Sequence, residues 1–461
     1  MGGRFGTDGV RGVANAELTV ELALALGRAA ARVLPAESFL VGRDTRRSGP
    51  MLQAALAAGL ASEGADVVDL GVLPTPGVAW VSAQRKVPAA VISASHNPFA
   101  DNGVKLFDKG GVKLPDATEE LIEAELDRIL GDGERSPRPP TGHGVGRLRS
   151  EPEAAEGYLD HLVGTLEGRD LSGLRIVLDC AQGAASEVAP AVFARLGAEV
   201  TAIACEPDGS NINDGCGSTH PELLVAEVLA RGADLGLALD GDADRLLAVD
   251  SEGKTRTGDE LLALFAQDLA ARGRLAGNTV VVTVMTNLGF HRAMAARGIE
   301  VRETPVGDRY VLEALDADGL ALGGEQSGHL VFRELSTTGD GVLTGLLLAD
   351  LLRRAGRPLA ELADGAMERL PQVLVNVAVP DPAAAVASEE VRAALAEAEA
   401  ELEGRGRVLL RPSGTEPLVR VMVEAEEEDL AAAVADRIRT VVVQGLLGVE
   451  PGEGTPAAVS S

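Results

Sequence analysis

Aromatic side chains are nearly missing. Phe, Trp and Tyr make up 2% of the 461 residues, while hydrophobic residues reach 46%. The cores are therefore expected to be built from Ala, Val and Leu. Cysteine is scarce as well. Cys180, Cys205 and Cys216 form neither a CxxC pair nor an even framework, which excludes a disulfide scaffold and points to a reducing cytoplasm. The sequence has no run of about 18 apolar residues, and its first residues, "MGGRFGTDGVRG", lack the apolar core of a secretory signal. The expectation is a soluble cytoplasmic protein with no membrane partner. Positive charge is in short supply. Forty-two Lys and Arg stand against 70 Asp and Glu, giving a net charge of −28. Such a field repels nucleic acid as well as anionic membranes, so an anionic ligand needs cationic groups gathered locally.

A chain this long is expected to hold two to four domains. One pattern recurs three times. The β-branched runs "FLVGRD" (39–44), "RIVLDC" (175–180) and "TVVVTV" (279–284) are each followed by an Ala/Leu-rich amphipathic stretch. These stretches end at Gly64, Gly197 and Gly298, which open the phrases "GADVVDL", "GAEVTAI" and "GIEVRET". A strand, a helix closed by glycine and a returning strand predict three similar α/β domains with mixed, mainly parallel sheets. "GDGERSPRPPTGHGVG" (131–146) reads as a linker, and past residue 367 the pattern becomes β–α–β–β–α. The predicted domains are 1–150, 151–253, 254–367 and a smaller α+β domain at 368–448, followed by a disordered tail at 449–461.

The polar motifs lie at predicted strand ends and turns. In "DLGLALDGDADRLLAVD" a strand delivers Asp240 to its C-terminal end, and Asp242 and Asp244 follow at two-residue spacing. Three carboxylates so close repel unless a cation neutralises them, and oxygen-only donors favour Mg²⁺ or Ca²⁺. Arg245 and Ser251 stand where a calcium EF-hand needs Gly and Glu, which leaves Mg²⁺, with a solvated acidic turn as the bland alternative. Arg245 next to the aspartates suggests a nearby phosphate. "RPSGTEP" (411–417) offers Arg411, Ser413, Gly414 and Thr415, with Arg420 beyond, as an anion nest or an ordinary hairpin. Glu325, Ser327 and His329 in "LGGEQSGHL" suit a polyhydroxyl ligand or a surface loop. Arg11 in "RFGTDGVRG" is a phosphate contact or part of a tight turn; "VGRDTRRSG" (41–49) and "TPVGDRY" (304–310) give weaker signals of the same kind. Together these loops predict one cleft walled by four domains.

"VISASHNPFADNGVKLF" (91–107) crowds Ser93, Ser95, His96 and Asn97 against a strand, with Lys105 close behind. No GxSxG elbow accompanies the serines, and His96 is too near in sequence to serve Ser95 easily as a base. Beside a metal site and an anion nest, a serine carrying a phosphoryl group fits better, with phosphoserine as the fourth anionic ligand. Lys105 and His329 are then the candidates for proton transfer. Strand alternation puts Ser93 and Ser95 on one face, so geometry leaves the choice between them open.

The ordered set "FGTDGVRG", "SASHNPFADNG", "DGDADR", "GGEQSGH" and "RPSGTEP" resembles the α-D-phosphohexomutase family over residues 3 to 448. "NINDGCGSTHPE" (211–222) is similar to the branch that acts on glucosamine phosphates. The resemblance implies a four-domain fold around a central cleft and Ser95 as the phosphorylated nucleophile. It further implies Mg²⁺ on Asp240, Asp242 and Asp244, sugar contacts from Glu325 and Ser327, and a phosphate loop from Arg411 to Thr415. The implied isomerase converts glucosamine 6-phosphate to glucosamine 1-phosphate through a 1,6-bisphosphate, on the route to UDP-N-acetylglucosamine and cell wall. Glucosamine or glucose 1,6-bisphosphate would be the activator, and sugar phosphates the partners; a homodimer stays open. The alternatives are a sister mutase for glucose or mannose phosphates and a non-catalytic sugar-phosphate sensor.

Overall fold

The computed structural model describes residues 5–6, 9–132, 139–412 and 417–447. The chain forms two compact units, one of residues 1–286 with 294–366, the other of residues 287–293 with the chain from 367 on.

The first unit contains three sheets. In the first, Ser38–Arg43 lies between Asp66–Val72 and Ala89–Ile92, parallel to both. Asp101–Asp108 pairs antiparallel with Ala89–Ile92, and the edges are Val10–Val13 and Leu148–Ser150. Ala89–Ile92 is buried at every position and Ser38–Arg43 at all but its two ends, as expected of a sheet covered on both faces. One of the covering helices, Val20–Val33, starts where Thr19 Oγ1 accepts the Leu22 N–H at 3.2 Å, with Glu21 in its first turn. Leu22, Ala25, Leu26, Ala29 and Ala30 recur at helical spacing and form its buried stripe. It crosses Gly49–Ser62 almost backbone to backbone: a Cβ on Gly27 would lie 2.3 Å from the Leu56 carbonyl oxygen. Small residues thus replace aromatic bulk in closing this core. Leu26 and Leu56 at its centre are fully buried, and truncating either to Ala is worth roughly 2–5 kcal/mol.

The second sheet runs Thr255–Arg256, Leu246–Asp250, Leu235–Leu239, Arg175–Asp179, Glu199–Ile203. The third runs Glu300–Thr304, Thr279–Thr283, Leu322–Gly324, Leu330–Phe332. The threefold pattern is real: Ser38–Arg43 with Asp66–Val72, Arg175–Asp179 with Glu199–Ile203, and Thr279–Thr283 with Glu300–Thr304 are all parallel pairs. A helix joins each pair, and Gly64, Gly197 and Gly298 all have positive φ. Thr255–Arg256 pairs with Leu246–Asp250, so the second sheet continues past residue 253.

The second unit has an antiparallel sheet, with Leu418–Ala425 between Gln372–Ala378 and Gly406–Pro412. Val377, Val421, Val423, Val434 and Ile438 are in its core. The first helix of the expected β–α–β–β–α pattern is two, Pro382–Ala387 and Glu389–Leu402. Ser388 leaves helical space at ψ 150° and caps the second helix by accepting the Val391 N–H at 3.2 Å. The tail at 449–461 lies outside the described residues. Among the described residues, no helix is long and apolar enough to cross a membrane, and all three cysteines are free.

Candidate active site

Leu235–Leu239 is buried at every position and ends by presenting Asp240; the chain returns antiparallel from Leu246. Asp240, Asp242 and Asp244 fall on the loop between, and all three are buried. One carboxylate oxygen from each lies within 4.8 Å of the others. Burial, together with the Asp244 and Asp242 charges, pushes the Asp240 carboxyl well above its ordinary range. Burial would raise Asp244 too, but Lys105 and His329 outweigh it and hold that carboxyl well below. The glycine at 241 is required by packing, since a Cβ there would lie 2.5 Å from the Ser95 carbonyl oxygen.

The six oxygens of these carboxylates are not equivalent. Asp242 Oδ2 accepts from Thr75 Oγ1 at 2.6 Å and from Lys105 Nζ at 2.9 Å. Asp244 Oδ2 accepts from Lys105 Nζ at 3.2 Å and lies 3.8 Å from His329 Nδ1. Asp240 Oδ2 takes the Ser95 hydroxyl at 2.5 Å, and its Oδ1 takes the Arg245 N–H at 3.2 Å. Asp242 Oδ1 and Asp244 Oδ1 are buried without a hydrogen-bond partner. Buried acceptors are almost always satisfied, so two adjacent orphans beside an anionic cluster fit a hard divalent cation.

Ser95 corrects the expectation from strand alternation. The strand ends at Ile92, and Ser95 has φ +53°, in the left-handed region, so the two serines serve different partners. Ser93 Oγ donates to Asp44 Oδ2 at 2.7 Å and accepts the Ser95 N–H at 2.9 Å, whereas Ser95 Oγ reaches Asp240. A non-glycine residue there is strained by about 1 kcal/mol or more, so its surroundings must over-determine it. Arg46 supplies much of that constraint. Its fully buried guanidinium pairs with Asp44 at 2.9 Å and donates to the carbonyls of Ser95 at 2.9 Å, Asn97 at 2.8 Å and Asp101 at 3.1 Å, and also to that of Pro98. Asn213 Nδ2 donates to the Ser95 carbonyl at 2.9 Å from the second sheet's side.

His329 is buried, and its Nε2 accepts the Gly339 N–H at 3.1 Å, which leaves the proton of the neutral ring on Nδ1, toward Asp244. Burial lowers its pKa, but Asp244, Asp308 and Glu325 raise it to a net value above the ordinary. Burial raises Glu325, whose Oε1 accepts the Gly307 N–H at 3.1 Å. Ser327 is exposed. Burial, Arg245 and Arg11 push the His96 imidazole down to about 4, so it is neutral near pH 7 while its Nδ1 lies 3.4 Å from Ser95 Oγ. The structure therefore brings Ser95, Lys105, the three aspartates, Arg245 and His329 together, with Arg11 and Glu325 within electrostatic reach of this group. In the second unit, Arg411 and Arg420 stand directly opposite each other on paired strands. Ser413, Gly414 and Thr415 lie outside the described residues.

Sequence reading missed Thr75 and gave no role to Asn213. It carried Asp44 and Arg46 only as a weak signal within "VGRDTRRSG". Their contacts are long-range, and the one local hint for Thr75 is its place between two prolines at a helix start.

Four family models match in series: Phosphoglucomutase/phosphomannomutase alpha/beta/alpha domain I at 2–131, domain II at 156–253, domain III at 257–370 and the C-terminal domain at 374–441. The chain is 54% identical to a phosphoglucosamine mutase of Desulforudis audaxviator, covering 96% of this chain and 98% of the relative. It is 56% identical to one of Saccharopolyspora erythraea, covering 95% and 98%. Among solved structures, a phosphoglucomutase/phosphomannomutase family protein of Burkholderia thailandensis superposes with a TM-score of 0.80 at 27% identity, over 98% of this chain and 99% of the other. The fold is also shared with an Aspergillus fumigatus N-acetylphosphoglucosamine mutase solved with GlcNAc-6P and magnesium (TM-score 0.70, 18% identity, covering 96% of each chain).

Proposed function

The chain belongs to the phosphoglucomutase/phosphomannomutase family, and from that membership we propose that it is an isomerase interconverting glucosamine 6-phosphate and glucosamine 1-phosphate. The observation that carries the reading is Ser95 Oγ at 2.5 Å from Asp240, beside two carboxylates that each keep one buried oxygen without a hydrogen bond, that of Asp244 lying 3.8 Å from Arg245 Nε. A non-catalytic sensor has no use for such a hydroxyl.

In the proposed reaction, phosphorylated Ser95 gives its phosphoryl group to the free hydroxyl of the sugar phosphate, making the 1,6-bisphosphate. The bisphosphate turns over, and its other phosphate returns to Ser95. Asp240, Asp242 and Asp244 would hold Mg²⁺, for which an oxygen-only donor set is suited; when bound it supplies charge neutralisation for phosphoryl transfer. Ser95 is held in a fixed direction by Ser93, Arg46 and Asn213, which favours positioned attack. Lys105 Nζ, hydrogen-bonded to Asp242 and Asp244, and His329, whose Nδ1 faces Asp244, are the candidate groups to hold or move the hydroxyl proton. Arg11 and Arg245 offer charge to the phosphate near Ser95, and Glu325 and Ser327 offer oxygens to the sugar. Arg411, Ser413, Gly414, Thr415 and Arg420 are the proposed grip on the phosphate that is not reacting. Glucosamine or glucose 1,6-bisphosphate is the proposed activator, and UDP-N-acetylglucosamine synthesis the route served.

The test combines mass spectrometry of Ser95 with kcat/KM on glucosamine, glucose and mannose 6-phosphates. The expected result is phosphate on Ser95 and the highest kcat/KM on the amino sugar. A preference for glucose or mannose phosphate would reassign the substrate to a sister mutase. An enzyme with no phosphate on Ser95 after incubation with bisphosphate sinks the mechanism.

A further inference from the structure

Thr75 opens the helix Thr75–Arg85 and is 2% exposed, with Pro74 before it and Pro76 behind. Proline fixes its own φ and restricts the residue before it, so the two flanking prolines narrow the backbone conformations open to Thr75. Thr75 uses both of its donors on one residue of the acidic loop: its N–H donates to the Asp242 carbonyl at 2.9 Å, and its Oγ1 to Asp242 Oδ2 at 2.6 Å. A two-point clasp of this kind fixes the side-chain torsion of Asp242 as well as its backbone. Lys105 Nζ lies on the same Oδ2 at 2.9 Å, but it also reaches Asp244, so it cannot by itself set the rotation of Asp242. With Oδ2 committed twice, Oδ1 is the oxygen left buried and without a partner.

We infer that Thr75 is a positioning residue for the cation site: its hydroxyl selects which oxygen of Asp242 faces the metal and holds it there. The inference rests on the reading that Asp240, Asp242 and Asp244 hold a divalent cation. Hydrogen bonds that orient a metal ligand typically change metal affinity by about tenfold or more when removed.

The test is titration of the full chain with Mn²⁺, followed by the electron paramagnetic resonance of the free ion, alongside Mg²⁺-dependent kinetics. Thr75→Val keeps the shape and removes the hydroxyl. It is expected to weaken Mn²⁺ binding about tenfold, raise the Mg²⁺ concentration for half-maximal rate by a similar factor, and leave KM for the sugar phosphate within about twofold. Thr75→Ser restores the donor and is expected to restore affinity. Thr75→Ala removes the donor without filling the space and gives the same readout if the valine fails to fold. Wild type binding Mn²⁺ while both hydroxyl-free variants bind equally well overturns the role of Thr75. Wild type that binds no Mn²⁺ overturns the cation reading beneath it.

Discussion

Two of the clusters of buried charge in the first unit, those around Arg46 and Asp240, are finished differently. Around Arg46, Asp44 Oδ1 accepts the Arg46 N–H, Oδ2 accepts Arg46 Nε and Ser93 Oγ, and the rest of the guanidinium is spread over four carbonyls. Around Asp240, three carboxylates share one lysine, one threonine, one serine and the Arg245 N–H, and two oxygens are left without a hydrogen bond. Burying a charge is tolerable when every lone pair and proton finds a partner, and expensive otherwise. The first cluster is therefore architecture: it holds a strained loop in place. The second is unstable by itself and fits a ligand that completes it. A buried polar cluster is best read by what it leaves unsatisfied.

The largest effect expected is at the point where the clusters meet. Ser95→Ala removes the proposed phosphoryl carrier and is expected to lower turnover by roughly 10⁴-fold or more, as loss of a nucleophile does elsewhere. Added sugar 1,6-bisphosphate should activate unphosphorylated wild type and do nothing for this variant. Labelled phosphate incorporated into Ser95→Ala, with turnover retained, would move the nucleophile to another residue.

Next comes the satisfied cluster. Arg46→Met leaves Asp44 buried without its counter-charge and removes donors from four carbonyls, so a stability loss of about 3–5 kcal/mol is expected in urea denaturation. The double variant Asp44→Leu with Arg46→Met should recover part of that loss, because it removes the uncompensated charge. A double variant less stable than Arg46→Met alone would break the account of this pair as mutual compensation.

The unsatisfied cluster should respond in the opposite way. Asp242→Asn relieves like-charge repulsion, so stability without metal is expected to stay level or rise. Turnover should fall about a hundredfold, or about 2.7 kcal/mol, since the loop would lose a ligand charge. Loss of stability comparable with that of Arg46→Met, or near-native kcat in EDTA, would erase the distinction between the clusters.

The parts legible in the sequence were those encoded locally. Short β-branched runs, the Ala/Leu stripes and the recurring C′ glycines mark the three parallel pairs, because local composition, hydrophobic period and glycine's freedom act over a few residues. The aspartates are legible as a candidate cation site because three carboxylates at spacing two repel one another strongly when buried unless they are neutralised. The left-handed turn at Ser95 is not legible, since no local signal forces φ +53° on a serine; Arg46, 49 positions away, and Asn213, 118 away, hold it there. Thr75 is hidden for the same reason, being 167 residues from Asp242. Ser388 shows the converse: a local capping serine was legible in principle, and the Glu/Ala composition around it masked the break.

The smallest effect tests the seam between the two clusters. Ser93 touches neither the aspartates nor a proposed substrate group; it passes a hydrogen bond from the Ser95 N–H to Asp44. In Ser93→Ala, Asp44 keeps Arg46, but the buried Ser95 N–H loses its acceptor while its backbone stays in a strained region. That group should destabilise the fold by about 1–3 kcal/mol. Arg46 and Asn213 still hold the Ser95 carbonyl, so the hydroxyl should keep its direction toward Asp240. Turnover is then expected to drop only several-fold, with KM unchanged and labelled phosphate still found on Ser95. The two clusters would thus be separable: weakening the scaffold lowers stability first and rate second. If Ser93→Ala instead matched Ser95→Ala in lost turnover while keeping wild-type stability, Ser93 would belong to the chemistry, and the boundary between the satisfied and unsatisfied clusters would have to be redrawn through it.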